Sequence, residues 1–128
     1  MDNMKTVNDT LGHDEGDYCL CTIAHAMKEA AVGDDICIRS GGDEFVVLGK
    51  DYDEDKIAKF ITDLRHAIAL KRRKDGKAYD ISVSVGCYMQ IPTDDGMSPT
   101  EAGEVFLRYA DTEMYKEKKE HKKALQEK

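Results

Sequence analysis

Two short runs rich in β-branched and aromatic residues, Ile36-Cys37-Ile38-Arg39 and Phe45-Val46-Val47-Leu48, flank a five-residue stretch centred on Gly41-Gly42. No other feature narrows the fold as much. Such a pattern predicts a β-hairpin, because glycine adopts a tight turn with positive φ at the lowest steric cost. Around it the periodicity is helical. Leu20, Ile23, Ala24 and Met27 recur at helix spacing between Asp17 and Ala31, and Gly33 supplies a stop. Ile57, Phe60, Ile61, Leu64 and Ile68 form one apolar stripe between Asp53 and about Arg73, closed by the cations Lys71 to Lys74.

From Asp80 to Met89 the pattern changes to strict alternation, with Ile81, Val83, Val85, Cys87 and Met89 on one face, which predicts a further strand. Ser98-Pro99-Thr100-Glu101 reads as a capping box with proline at the first helical position, opening a helix past Met114. Residues 119–128 form a polar, helical tail. Helices combined with a mainly antiparallel sheet predict an α+β, two-layer fold in which helices pack on a central hairpin.

A chain of 128 residues with 41% hydrophobic residues suits one domain over 1–128 with a single core. No apolar stretch approaches the roughly 20 residues of a membrane helix, and Met1 to Lys5 does not read as a secretion signal. The expectation is a soluble, cytoplasmic protein with no membrane partner. A net charge of -7 argues against a nucleic-acid surface spread over the domain, while leaving room for a small basic pocket. Cys19, Cys21, Cys37 and Cys87 fit no zinc spacing and are expected to be free, buried thiols.

Composition and periodicity give no chemistry. Four stretches do. Asp2 to Asp17 reads D-N-M-K-T-V-N-D-T-L-G-H-D-E-G-D. Arg39 to Phe45 reads R-S-G-G-D-E-F. Ser82 to Gly86 reads S-V-S-V-G, and Ala110 to Lys118 reads A-D-T-E-M-Y-K-E-K. In this order they resemble the GGDEF domain of bacterial diguanylate cyclases, over nearly the whole chain. The resemblance implies a fold of the nucleotidyl cyclase and polymerase palm type (palm/ferredoxin-like). It implies condensation of two GTP molecules into cyclic di-GMP with release of pyrophosphate, by a homodimer that carries one GTP on each domain. A divalent cofactor, Mg²⁺ or Mn²⁺, and an upstream sensor or receiver domain follow from the same resemblance.

The family pattern assigns roles to residues of this sequence. Asp43 is the metal ligand and, with Glu44, the catalytic pair, placed after the Gly41-Gly42 turn; paired carboxylates suit Mg²⁺, which prefers hard oxygen ligands plus phosphate and water. The residues alone also allow a merely solvated turn. Asn8 and Asp17 match the pair that reads guanine, and an amide with a carboxylate can satisfy the guanine edge. On the residues alone, Asn8 would cap a turn and Asp17 would N-cap the following helix. Lys5 and Lys118 match phosphate contacts. So does Lys122, which stands where the family usually has arginine and so keeps the charge without the bidentate fork. His121 stands where glycine is usual, and His13 is expected to hold its loop.

Two departures accompany the match. The family's first strand and a principal metal-binding aspartate would precede Met1, so the chain is expected to be N-terminally truncated relative to the family, with low activity. In the family's inhibitory R-x-x-D site the matching residues are Val32 and Asp35, so product feedback is expected to be weak. A second reading, from a different class, is a non-catalytic or degenerate module of the same family that binds GTP or a protein partner.

Overall fold

Residues 1–89, 96 and 98–127 are described by the computed structural model. In chain order they form α1 (Met4–Leu11), α2 (His13–Ala30), β1 (Ile36–Arg39), β2 (Phe45–Leu48), α3 (Glu54–Lys74) and α4 (Pro99–Gln126). The chain divides into two compact units, Met1–Val83 and Ser84–Lys128.

The core of the first unit is the apolar stripe of α2. Cys19, Leu20, Ile23, Ala26, Met27 and Ala30 are buried, together with Leu64 and Ile68 of α3 and with Val83. Burial of such a stripe removes apolar surface from water, at roughly 25 cal/mol per Å². α3 begins where Asp53 accepts a hydrogen bond from the Lys56 backbone N–H at 2.8 Å, and four cations stand in its last turn. Gly12, at φ +93°, separates α1 from α2 in a conformation that disfavours any side chain. Because Gly12 is also the N-cap of α2, no side chain caps that helix.

β1 and β2 pair antiparallel, with Ile36 opposite Leu48 and Arg39 opposite Phe45, as the two runs predicted. Cys37, Ile38, Arg39 and Phe45 border a groove whose other wall is Leu20, Cys21, Ala24, Met27 and Lys28 of α2. The hairpin therefore faces α2.

In three places the sequence reading is corrected. The alternating stretch Asp80–Met89 is not a strand among the described residues. Alternation reports only two unlike faces, whereas a strand also needs a ladder partner. Here the backbone groups find other partners: the Asp2 N–H donates to the Ser82 carbonyl at 2.9 Å, and the Val85 N–H donates to the Glu117 carboxylate. The turn of the hairpin also uses neither glycine at positive φ; the glycines that do so are Gly12, Gly33, Gly76 and Gly96. Of the four free cysteines only Cys19 is buried; Cys21 and Cys87 are exposed.

A clasp of polar side chains joins the start of α2 to the end of α3 and the loop after it. Glu15 accepts from Lys77 Nζ at 2.7 Å and from the Tyr79 hydroxyl. The Tyr18 hydroxyl donates to Asp75 at 2.7 Å, and Lys71 pairs with the same carboxylate at 2.9 Å. The hydrogen bond from Lys77, then that from Tyr79, hold the Glu15 carboxyl below its ordinary value. A depressed carboxylate stabilises the fold fully above its unfolded value of 4.5, and that stability is lost as pH falls through the lower folded value. Wild type is expected to melt above Glu15→Gln at pH 6, with the gap narrowing as pH falls below 4.5, measured by circular dichroism.

In the second unit, Ser98 accepts from the Glu101 N–H and Glu101 accepts from the Ser98 N–H, completing the expected capping box of α4. The segment from Ser84 lies along this helix. Tyr88 stacks on Tyr109 at 4.8 Å and meets Phe106 edge-on at 5.2 Å. The helix continues to Gln126, with its last turns almost wholly exposed; Lys128 lies outside the described residues. No helix of the described residues is long and apolar enough to cross a membrane.

Candidate functional site

The hairpin loop is held from within. The Ser40 N–H donates to the Glu44 carbonyl at 3.0 Å, closing the loop at its base. The Arg39 guanidinium reaches over it, donating from Nε to the Gly41 carbonyl at 3.1 Å and from a terminal nitrogen to the Gly42 carbonyl at 2.6 Å. The Met1 amine donates to the Asp43 carbonyl at 2.6 Å. Asp2 is buried and accepts from the Ser82 hydroxyl at 2.7 Å. These bonds fix the backbone at the tip and use none of its side-chain oxygens. Asp43 and Glu44 are half-buried, and among the described residues neither carboxylate has a hydrogen-bond or ion-pair partner. A Cβ at Gly42 would meet nothing within 4 Å, so the bare backbone there serves no internal packing.

Asn8 lies within α1 and Asp17 within α2, so neither has the capping role that their residue types suggest in isolation. Asn8 instead packs on α2. A Cβ at Gly16 would stand 1.9 Å from Asn8 Oδ1. Among the described residues that oxygen is buried without a hydrogen-bond partner, and an unmet acceptor of this kind costs about 1–3 kcal/mol. Gly16 thus brings the amide of one helix onto the backbone of the other, one residue before Asp17. Asp17 and Lys5 are exposed.

The remaining candidates fall in the second unit, on α4, where Lys118 is half-buried and Lys122 exposed. The Val32–Asp35 stretch is closed on itself. Asp35 Oδ2 accepts from the Val32 N–H at 3.0 Å and from the Tyr52 hydroxyl at 2.5 Å. Burial, then this bond, push the Tyr52 hydroxyl up to about 12. The Asp35 carboxylate is therefore engaged by its own chain.

The profile of the family described as "Diguanylate cyclase, GGDEF domain" matches residues 1–124. The chain belongs to the GGDEF family. Among its relatives, "Probable diguanylate cyclase DgcJ" of Escherichia coli (strain K12) is 48% identical over 48 residues, covering 38% of this chain and 10% of that protein. "Probable diguanylate cyclase DgcT" of the same strain is 29% identical over 122 residues, covering 92% of this chain and 25% of the relative. "Diguanylate cyclase DosC" of the same strain is 30% identical over 91 residues, covering 70% of this chain and 20% of the relative. The chain thus spans at most about a quarter of the length of these relatives. Among the described residues, a two-stranded antiparallel sheet with four helices is consistent with the α+β class expected of a GGDEF domain.

As a metal-binding set, Asp43 and Glu44 offer hard oxygen atoms, and no group of three or more His, Cys, Asp or Glu side chains converges among the described residues. Two carboxylates fit an ion that also takes water and substrate phosphate, the usual habit of Mg²⁺. They do not fit a closed structural site. Sequence reasoning assigned no role to Arg39, although a cation directly before Ser40-Gly41-Gly42 was the available signal. The link from Met1 and Asp2 to the hairpin tip and Ser82 left no mark in the sequence.

Proposed function

We propose that this GGDEF chain binds GTP through Asn8 and Asp17 for guanine, and through Lys5, Lys118 and Lys122 for the phosphates. It takes part in the condensation of two GTP molecules to cyclic di-GMP in a homodimer. The observation that carries the reading is the carboxylate pair Asp43–Glu44. Its backbone is clamped by Arg39, Ser40 and Met1, while its oxygens have no protein partner among the described residues. A carboxylate pair kept rigid and unneutralised is arranged for an external cation.

In the reaction, the 3′-hydroxyl oxygen of one GTP forms a bond to the α-phosphorus of the other, and pyrophosphate leaves. A second such step closes the ring and releases a second pyrophosphate. Asp43, supported by Glu44, would hold the divalent cation when it binds, and Asp43 accepts the proton of the attacking hydroxyl. The metal, when bound, supplies charge stabilisation to the phosphoryl group in flight. The lysines neutralise the triphosphate, with Lys122 gripping as a point charge rather than a fork. Because the Asp35 carboxylate is already bonded to Tyr52 and Val32, and Val32 brings no cation, product feedback through this stretch is weak.

The family pattern includes a further metal-binding aspartate on a strand preceding the position of Met1. A version extended upstream by that strand is expected to give cyclic di-GMP, with Asp43→Ala lowering turnover by about a hundredfold or more, measured by chromatography of the products. A silent extended version that binds GTP equally well with and without Asp43 would support the non-catalytic module instead.

A further inference from the structure

The clasp at the start of α2 joins Glu15, which lies inside the Asp2–Asp17 string, to Tyr18, Asp75, Lys77 and Tyr79, which lie in none of the quoted family strings. Glu15, Tyr18 and Cys19 lie at i, i+3 and i+4, on one face of the helix. Glu15 takes bonds from Lys77 and Tyr79, and the Tyr18 ring carries the Lys77 ammonium at 4.5 Å while its hydroxyl holds Asp75. The Cys19 thiol lies 3.9 Å from the Tyr79 hydroxyl. Asp17, between Glu15 and Tyr18, falls on the opposite face at 100° per residue.

A second observation explains why the first turn of α2 needs such a tie. Its N-cap is Gly12, with no side chain to fix the entering turn, and Gly12 follows α1 directly. An uncapped helix end frays and rotates unless tertiary contacts hold it. The three bonded positions lock the rotation of the first turns about the axis of α2, and with it the direction of Asp17. They also fix the seat of Asn8 on Gly16.

We propose that Glu15, Lys77 and Tyr79 are positioning residues for guanine recognition: they act on the base through Asp17, without touching it. The inference rests on the assignment of Asn8 and Asp17 to guanine made above. A purely structural staple between α2 and α3 would lower stability on removal, with no preference among nucleotides. A positioning role makes the loss specific to the base and dependent on Asp17.

The test is calorimetric titration of the chain with GTP and with ATP, each with Mg²⁺, for wild type, Glu15→Gln and Tyr79→Phe, in the presence and absence of Asp17→Ala. Far-ultraviolet circular dichroism verifies that each variant is folded, and Lys77→Met replaces Glu15→Gln should that variant fail to fold. The expected result is a fall of roughly tenfold in GTP affinity, the scale of one misaligned charged hydrogen bond. ATP binding stays unchanged, and no further fall occurs once Asp17 is alanine. Unchanged GTP affinity, equal losses for GTP and ATP, or an undiminished loss in the Asp17→Ala background would each overturn the inference. Wild-type protein that does not prefer GTP over ATP would overturn the guanine assignment itself, and the inference with it.

Discussion

Gly86→Ala is expected to unfold the packing of the second unit, at a cost of about 3 kcal/mol. A Cβ there would stand 1.9 Å from the Ala110 carbonyl oxygen, 2.3 Å from the Met114 nitrogen and 2.9 Å from its Cα. All three are backbone atoms in the middle of α4, so no side-chain rotation relieves the clash. The segment must retreat from the helix. In doing so it loses the bond from the Val85 N–H to Glu117 and the Ser84 hydroxyl contact with His121 Nδ1 at 3.1 Å. Thermal unfolding should show a drop of about 10 °C, and the Val85 amide should lose its protection from hydrogen exchange. A midpoint within a degree of wild type would show that the approach of 84–89 to α4 is looser than these distances.

Gly16→Ala is expected to have the opposite signature, with stability kept and ligand selectivity lost. The three nearest heavy atoms to a Cβ at this position all belong to the Asn8 side chain, the closest at 1.9 Å. A terminal amide can swing away, and alanine in a helix interior gains about 1 kcal/mol over glycine. The fold therefore survives with a melting point at or slightly above that of wild type. Asn8 does not keep its place, and with it goes one of the two groups assigned to guanine. Titration with GTP should show affinity lower by roughly tenfold or more. The readouts diverge for a physical reason: one glycine faces rigid backbone, while the other faces the end of a movable side chain.

Most of the elements were legible because they are stabilised locally. The hairpin strands Ile36–Arg39 and Phe45–Leu48 have the bounds that their β-branched runs imply. α3 begins after Asp53, and α4 begins at the Ser98–Glu101 capping box. α2 starts at His13 rather than Asp17, because a glycine with positive φ, not a side-chain cap, precedes it. The 80–89 stretch failed as a strand because alternation carries no information about the partner that a ladder requires. The family motifs were equally legible, since each is a short contiguous string.

The sequence by itself determined the family, the hairpin with its Asp43–Glu44 tip, and the helices that flank it, because each depends on neighbours within a few residues. Only the tertiary structure decided what the motif glycines are for. Gly16 is where Asn8 meets α2, Gly86 is where the 84–89 segment meets α4, and Gly42 is left bare at the tip. It also decided that Arg39 and Met1 clamp the tip, and that Glu15 is clasped by residues more than 60 positions away. The reason is the range of the interactions. Turn propensity, capping and amphipathic stripes act along the chain, whereas close backbone approach and charge pairing depend on which distant segments burial of the core brings together.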